Sequence, residues 1–343
     1  MWSEVLAADP GATVYQTLPW FDAALEYSNA KDVSRLYVTE DMRLLVLPLL
    51  RREPLPGMAL DGSYPGVLGP GGLIASGGLR PSDVRLVLSD LLRSRTFRTS
   101  IKVNHDVAGL WQAGLVDGTV GEPFRVEVLD LDGGFRKVWD ERFQSSARRA
   151  VRKAERSRIV VERDTTGSLI GTFYELYLDW TYRRAEESGL PKRVAAALAQ
   201  RREPLRMFEI LTRSLGDKCR IWLASHDGEV VAGLLSLVHG RYSVYWRGYS
   251  KKALAGPLRA NNLLQRLAIE DACDAGCRYY SMGQSSGVTA LEHFKQTMGA
   301  TPRSALELRI ERLPIGRLER LTDQAASRVE RLVRSGLQVT RRD

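Results

Sequence analysis

Cysteine is scarce in this sequence, with three in 343 residues. An odd number at such low density builds no disulfide framework, and a reduced setting is expected. Cys273 and Cys277 stand four apart with no second pair to match them, so they read as small buried residues. The four histidines, His105, His226, His239 and His293, show no metal-ligand spacing, and no metal is expected. Long apolar runs are missing too. The stretch 44–50, interrupted by Pro48, falls far short of the roughly 20 residues that cross a bilayer as a helix. Met1-Trp2-Ser3-Glu4 has neither a basic n-region nor an apolar h-region, so no signal peptide and no stable membrane insertion are expected, and the location expected is cytoplasmic. There is no low-complexity tract, no GKS/T phosphate loop and no G-x-S-x-G elbow.

What is present is an ordinary globular composition, 44% hydrophobic and 27% charged. At about 150 residues per domain the length suggests two domains. Fifty Lys and Arg face 41 Asp and Glu, a net charge of +9. Such an excess favours a polyanionic partner (nucleic acid, nucleotide phosphates or an anionic membrane surface), although a basic surface also occurs without one. A monomer is expected.

The first part reads as mixed α/β. Pro19 opens a short helix at 20–27. Residues 34–39 and 43–50 read as strands around a turn at Glu40-Asp41. A Gly/Pro-rich stretch, 54–78, is long for a loop in a compact domain and is a candidate functional segment. Pro81-Ser82-Asp83 opens a helix to about residue 95, and 101–103 and 124–129 read as strands. A basic helix (144–157), a strand (159–162) and two helices (169–187 and 194–214) follow, the helices parted by Gly189-Leu190-Pro191. The clearest β signal is a meander over 221–225, 229–238 and 242–249, with turns at His226-Asp227-Gly228 and His239-Gly240-Arg241. After Pro257 comes a long helix to about 275, with Gly276 as its C-cap. Strand 277–281, a Gly/Ser loop at 283–287, helix 290–298, strand 305–310 and an Arg-rich helix at 316–334 complete the chain.

Four segments, in this order, carry a resemblance: SSARRAVRKAERSRIVVE from Ser145, GYSKKALAGPLRANNLLQRLAIEDACDAG from Gly248, CRYYSMGQSSG from Cys277, and LEHFKQTMGA from Leu291. A weaker match lies in Val14-Tyr15-Gln16-Thr17 with Trp20. Together they resemble the Fem family of tandem GNAT-fold acyltransferases, which take aminoacyl-tRNA as donor. The resemblance implies an α/β (α+β) protein of two GNAT-like domains, each a mixed, mostly antiparallel sheet flanked by helices. They would lie at 1–142 and 143–311, with segment 312–343 packing back on the first. It implies transfer of an aminoacyl group to an amine of a small molecule or peptide, of natural-product or cell-wall-precursor type. Aminoacyl-tRNA would be the co-substrate, with no cofactor. An acetyl- or acyl-CoA-dependent N-acyltransferase and a non-catalytic RNA-binding module are the alternatives. CoA enzymes of this fold close a Q/R-x-x-G-x-G/A loop on the diphosphate with backbone N–H groups. Within 250–262 no Arg or Gln has glycine three residues on, and Gly256 is followed by Pro257, which has no N–H. This weakens the CoA alternative.

Arg148, Arg152 and Arg156 stand at i, i+4 and i+8, with Arg149 and Lys153 beside them. Like charges at this spacing repel unless a polyanion offsets them, so the five are candidates for tRNA phosphates; a solvated face answered by Glu155 is the other reading. The resemblance puts Lys295 at the acyl-transfer centre, where an ammonium stabilises the tetrahedral oxyanion or the leaving ribose oxygen; by itself it could be a surface lysine paired with Glu292. Phe294 is a substrate-binding candidate or a packing residue. Among the strand tyrosines Tyr245, Tyr249, Tyr279 and Tyr280, Tyr249 is the catalytic candidate, able to act as an acid or orient an amine, against ordinary strand packing. Asn261 and Asn262 could bind substrate, Asn261 being the candidate, or could equally cap a helix.

Overall fold

The computed structural model describes residues 1–63, 69–189, 191–285 and 287–312. These residues form fourteen strands: β1 (Lys31–Asp32), β2 (Arg35–Val38), β3 (Leu44–Leu47), β4 (Leu50–Arg52), β5 (Leu60–Gly62), β6 (Ile74–Ala75), β7 (Arg98–Val103), β8 (Val120–Asp130), β9 (Val160–Asp164), β10 (Cys219–His226), β11 (Glu229–His239), β12 (Tyr242–Ser250), β13 (Tyr279–Gly283) and β14 (Thr301–Glu311). Eleven make one mixed sheet in the order β1-β4-β5-β7-β14-β8-β13-β12-β11-β10-β9, and β2-β3-β6 make a small second sheet. The meander β10-β11-β12 is antiparallel throughout, whereas β12 and β13 run parallel across the helical crossover that joins them. β8, from the N-terminal part of the chain, lies between β13 and β14 and pairs with both.

Proline decides where several elements divide. The expected strand at 43–50 splits at Pro48, which has no N–H to give a ladder. β3 therefore stays in the small sheet and β4 enters the large one. The expected helix at 194–214 becomes two, Lys192–Arg202 and Leu205–Leu215. The residue before a proline is driven out of the α region, and Glu203, before Pro204, sits at φ −140°, ψ 76°. After β12 the chain forms helix Lys252–Leu258, with Pro257 inside it, then Arg259 at φ 60°, then the long helix Ala260–Asp274. Gly276 (φ 75°) ends that helix, where Cys277 N–H returns to Ala272 O. β13 begins two residues later than expected because the N–H groups of Arg278 and Tyr279 both donate to Arg241 O. The helix expected at 316–334, and with it the packing of 312–343, lies outside the described residues apart from Arg312.

Alternation along the strands feeds two cores on opposite faces of the sheet. Leu235, Leu237, Ile221 and Trp246 pack on one face with Phe173 and Phe208 of helices Ile170–Ser188 and Leu205–Leu215. Leu234, Trp222 and Tyr280 pack on the other with Leu264 and Ala268 of Ala260–Asp274 and Ala147 of Ser145–Glu155. The N-terminal strands enclose Leu45, Val84, Leu88, Ile101, Trp111 and Leu308. Trp20, fully buried on helix Leu18–Ser28, joins the two halves, its ring edge-on to Tyr15 at 5.0 Å and to Trp246 at 5.6 Å. Such pairs contribute about 0.5–1.5 kcal/mol each beyond the area they bury. No helix among the described residues is long and apolar enough to cross a membrane.

Candidate active site

The ladder between β12 and β13 holds for three pairs, the last Val244 with Ser281, and then stops. Two irregularities mark that point. β12 bulges against β11, with Leu235 opposite Arg247 and Ser236 opposite Tyr245. β13 bulges against β8 between Ser281 and Gly283. Bulges of this kind re-aim side chains and end pairing.

Lys295 belongs to helix Thr289–Thr297, which lies against this region. Its side chain is not on the surface: the residue is 1% exposed. Nζ donates to the carbonyls of Gly283 (3.1 Å) and Gln284 (2.8 Å) at the end of β13. Pairing with Glu292 at the surface is thereby excluded as its main contact. Burial pushes the lysine down to about 8, against the opposing charges of Glu127 and Glu292. Gly299 closes the helix at φ 87°; a Cβ there would come within 2.7 Å of Arg142 O, so glycine is required for the turn to seat against the start of the basic helix.

The basic helix, Ser145–Glu155, divides its cations. Ala147, Val151 and Ala154 are buried. Arg148 is half-buried and donates to the carbonyls of Trp139, Asp140 and Phe143, closing the turn before the helix. Arg148 is thus committed to the protein's own backbone, which corrects its expected place in a phosphate-binding stripe. Arg149 and Lys153 instead line an open groove of about 400 Å3 with Ser146 and Ala150, facing Arg259, Asn262, His293 and Phe294. Arg152 and Arg156 are exposed but do not line it. No carboxylate pairs with Arg149, Lys153 or Arg259 among the described residues. Arg259 holds a left-handed backbone, a conformation that costs a residue with a Cβ about 1–2 kcal/mol. Asn261 is displaced from the groove by one position: its Nδ2 donates to Ser250 Oγ at 3.1 Å, tying the end of β12 to the long helix, while Asn262 faces the groove. Phe294 is both groove wall and packing residue, half-buried against the core beneath.

Tyr249 is not brought to Lys295. It lies in the core of the other face, 8% exposed, ringed by Phe173, Tyr177 and Trp180 at 5.0–5.7 Å. Its hydroxyl donates to Glu203 Oε2 at 3.2 Å, and Glu203 Oε1 accepts from Arg247 Nε (3.2 Å) and Nη2 (2.8 Å). Burial and the Glu203 charge push the Tyr249 phenol well up. A hydroxyl so held donates one hydrogen bond and does not ionise near neutrality, so the arrangement is that of a packing tyrosine. Tyr280 is fully buried and donates to Gln265 Oε1 at 3.0 Å. Tyr245 is pushed up to about 12 by burial. Of the residues named from sequence, Arg149, Lys153 and Phe294 are therefore brought together beside the helix of Lys295. Asn262 joins them, as do Arg259, the N-cap of its helix, and His293 of the Lys295 helix, neither of which carries a motif signal in the sequence. Among the described residues no cluster of His, Cys, Asp and Glu could hold a metal ion.

These features sit in a recognisable frame. Residues 141–296 match the family described as "Acetyltransferase (GNAT) domain", a span that includes the groove, both bulged strands and Lys295. Residues 141–296 thus carry a GNAT domain, and the chain as a whole has a Fem-like fold. It is similar to the crystal structure of FemX, with a TM-score of 0.66 and 15% identity over 92% of this chain and 97% of that one. A conserved protein of unknown function from Bacteroides thetaiotaomicron VPI-5482 is similar with a TM-score of 0.58 and 9% identity, over 90% of this chain and 95% of that one. Comparison with curated protein sequences gives no match.

Proposed function

We propose that this protein is an N-acyltransferase that moves an aminoacyl group from aminoacyl-tRNA to the amine of a small molecule or peptide. The observation that carries the donor assignment is the groove: Arg149, Lys153 and Arg259 converge there with no counter-carboxylate among the described residues, the pattern expected where a phosphate backbone supplies the missing charge. A second observation supports it. The stretch between β12 and the long helix, where a CoA diphosphate would meet free N–H groups, is itself helical. Leu254 and Ala255 N–H donate to Lys251 O, Arg259 N–H donates to Gly256 O, and Pro257 has none.

In the reaction the acceptor nitrogen attacks the ester carbonyl, the N–C bond forms, and the C–O bond to the ribose breaks. The proton lost by the amine ends on the ribose oxygen. The ester is already activated, so the protein supplies proximity and charge. The Lys295 ammonium, fixed by two carbonyls, is the cation nearest in kind to what a developing oxyanion needs. Phe294, the residue before it on the helix, lines the groove.

The test is a mass-spectrometric screen of charged tRNAs against candidate amines, with and without RNase, beside a parallel thiol-release assay with acyl-CoA donors. Amide product that disappears on RNase treatment is the expected result. Thiol release with full activity after RNase would replace the donor by a CoA thioester, and salt-sensitive tRNA binding without product from any amine would make the protein an RNA-binding module.

A further inference from the structure

Among the described residues Lys295 donates to carbonyls alone, and carbonyls do not by themselves keep a buried lysine charged. The strand register shows what stands behind it. Glu127 on β8 lies directly opposite Gly283, the residue whose carbonyl accepts from Lys295, and on its other side opposite Pro302 of β14. Glu127 is 1% exposed. One carboxylate oxygen, Oε1, is clamped by Arg125 at 2.7 Å through both Nε and Nη2. The other, Oε2, is buried and has no hydrogen-bond partner among the described residues. A buried carboxylate with one oxygen left unmatched is costly unless a nearby cation compensates it.

We propose that Glu127 is a positioning residue for the acyl-transfer centre, a buried counter-charge that acts through space to keep the Lys295 ammonium protonated behind the carbonyls of Gly283 and Gln284. Arg125 holds the carboxylate in place through its first oxygen. The inference rests on the functional reading above only for the use made of the ammonium. The charged groups bearing on Lys295 are Glu127 from β8 and Glu292 from its own helix; the end of β13 presents its carbonyls. Burial lowers the proton affinity of the lysine and Glu127 opposes the fall, so removing Glu127 should lower it further.

The test reads Lys295 directly. The full chain, labelled at lysine Cε with 13C, is titrated by NMR, with the Lys295 signal assigned by its loss in Lys295→Arg. The wild-type midpoint is expected near pH 8. In Glu127→Gln, which keeps shape and removes charge, the proton affinity should fall about tenfold. Glu292→Gln should shift it less. An unmoved midpoint in a folded Glu127→Gln overturns the proposal. Should that variant fail to fold, Glu127→Asp, which draws the same charge back by one methylene, must lower the midpoint by a smaller amount; no shift there overturns it equally. Once a donor is in hand, the alkaline limb of kcat should follow the NMR midpoint with KM unchanged. Because the titration needs no substrate, its failure is separate from failure of the donor assignment.

Discussion

The two faces of the C-terminal half of the sheet use arginine in opposite ways. On one face Arg247 is closed off by Glu203 and by the carbonyl of Trp246, and aromatic rings seal Tyr249 beside it. On the other, Arg149, Lys153 and Arg259 meet in a groove where no carboxylate of the described residues pairs with them. Sequence makes these cations look alike. The difference lies in what surrounds them: a matched charge organises the fold, whereas a convergence of unmatched charges is a demand that a ligand can meet.

Four measurements can break or sharpen that contrast. The largest effect should come from Glu203→Ala, which leaves Arg247 buried without its counter-charge. Loss of one member of such a pair destabilises by about 3–5 kcal/mol, read as a drop in the denaturant midpoint. A change below about 1 kcal/mol would mean that the pair does not organise its face. Next, Lys295→Ala should lower turnover about 100-fold or more with little change in tRNA affinity. Because the ammonium is the useful form, wild-type turnover should decline as pH rises through about 8, where the lysine loses its proton. Third, Tyr249→Phe removes only the hydrogen bond to Glu203. It should cost about 1.5 kcal/mol of stability and leave turnover unchanged, whereas a hundredfold loss of turnover would restore Tyr249 to the catalytic machinery. Smallest in stability is Arg149→Ala with Lys153→Ala, within about 0.5 kcal/mol of wild type. The same pair should reduce the slope of log affinity for tRNA against log salt by about 0.7–0.9 per lost contact, and an unchanged slope would empty the groove of its role.

The meander, the long helix and the order of elements around Lys295 are legible in the sequence because each carries a periodic or turn signal that tertiary contacts reinforce. Gly276 is legible as a C-cap because its left-handed backbone favours a residue without Cβ. Two of the boundaries misread are those where proline divides an expected element, at Pro48 and Pro204. There the hydrophobic pattern continues across a break that only the lost N–H and the restricted preceding residue impose. The site is less legible than the fold. Helical spacing puts Arg148 and Arg149 in one basic stretch, but one turns inward to three carbonyls and the other outward to the groove. Asn261 and Asn262 differ in the same way by a single step of about 100° around the helix. Glu127 gives no local signal at all, because its meaning comes from a strand pairing that joins positions more than 150 residues apart.

That pairing has a further consequence. With β8 threaded between β13 and β14, the chain is woven, not strung: a fragment starting at residue 143 would carry the groove and Lys295 yet lose the strand that bridges its neighbours. Two rows of backbone donors and acceptors would then face water or one another's copies, the kind of bare edge that recruits foreign strands. Separating the halves with a protease or a shortened gene would strip β13, whose end holds Lys295, of the strand beside it.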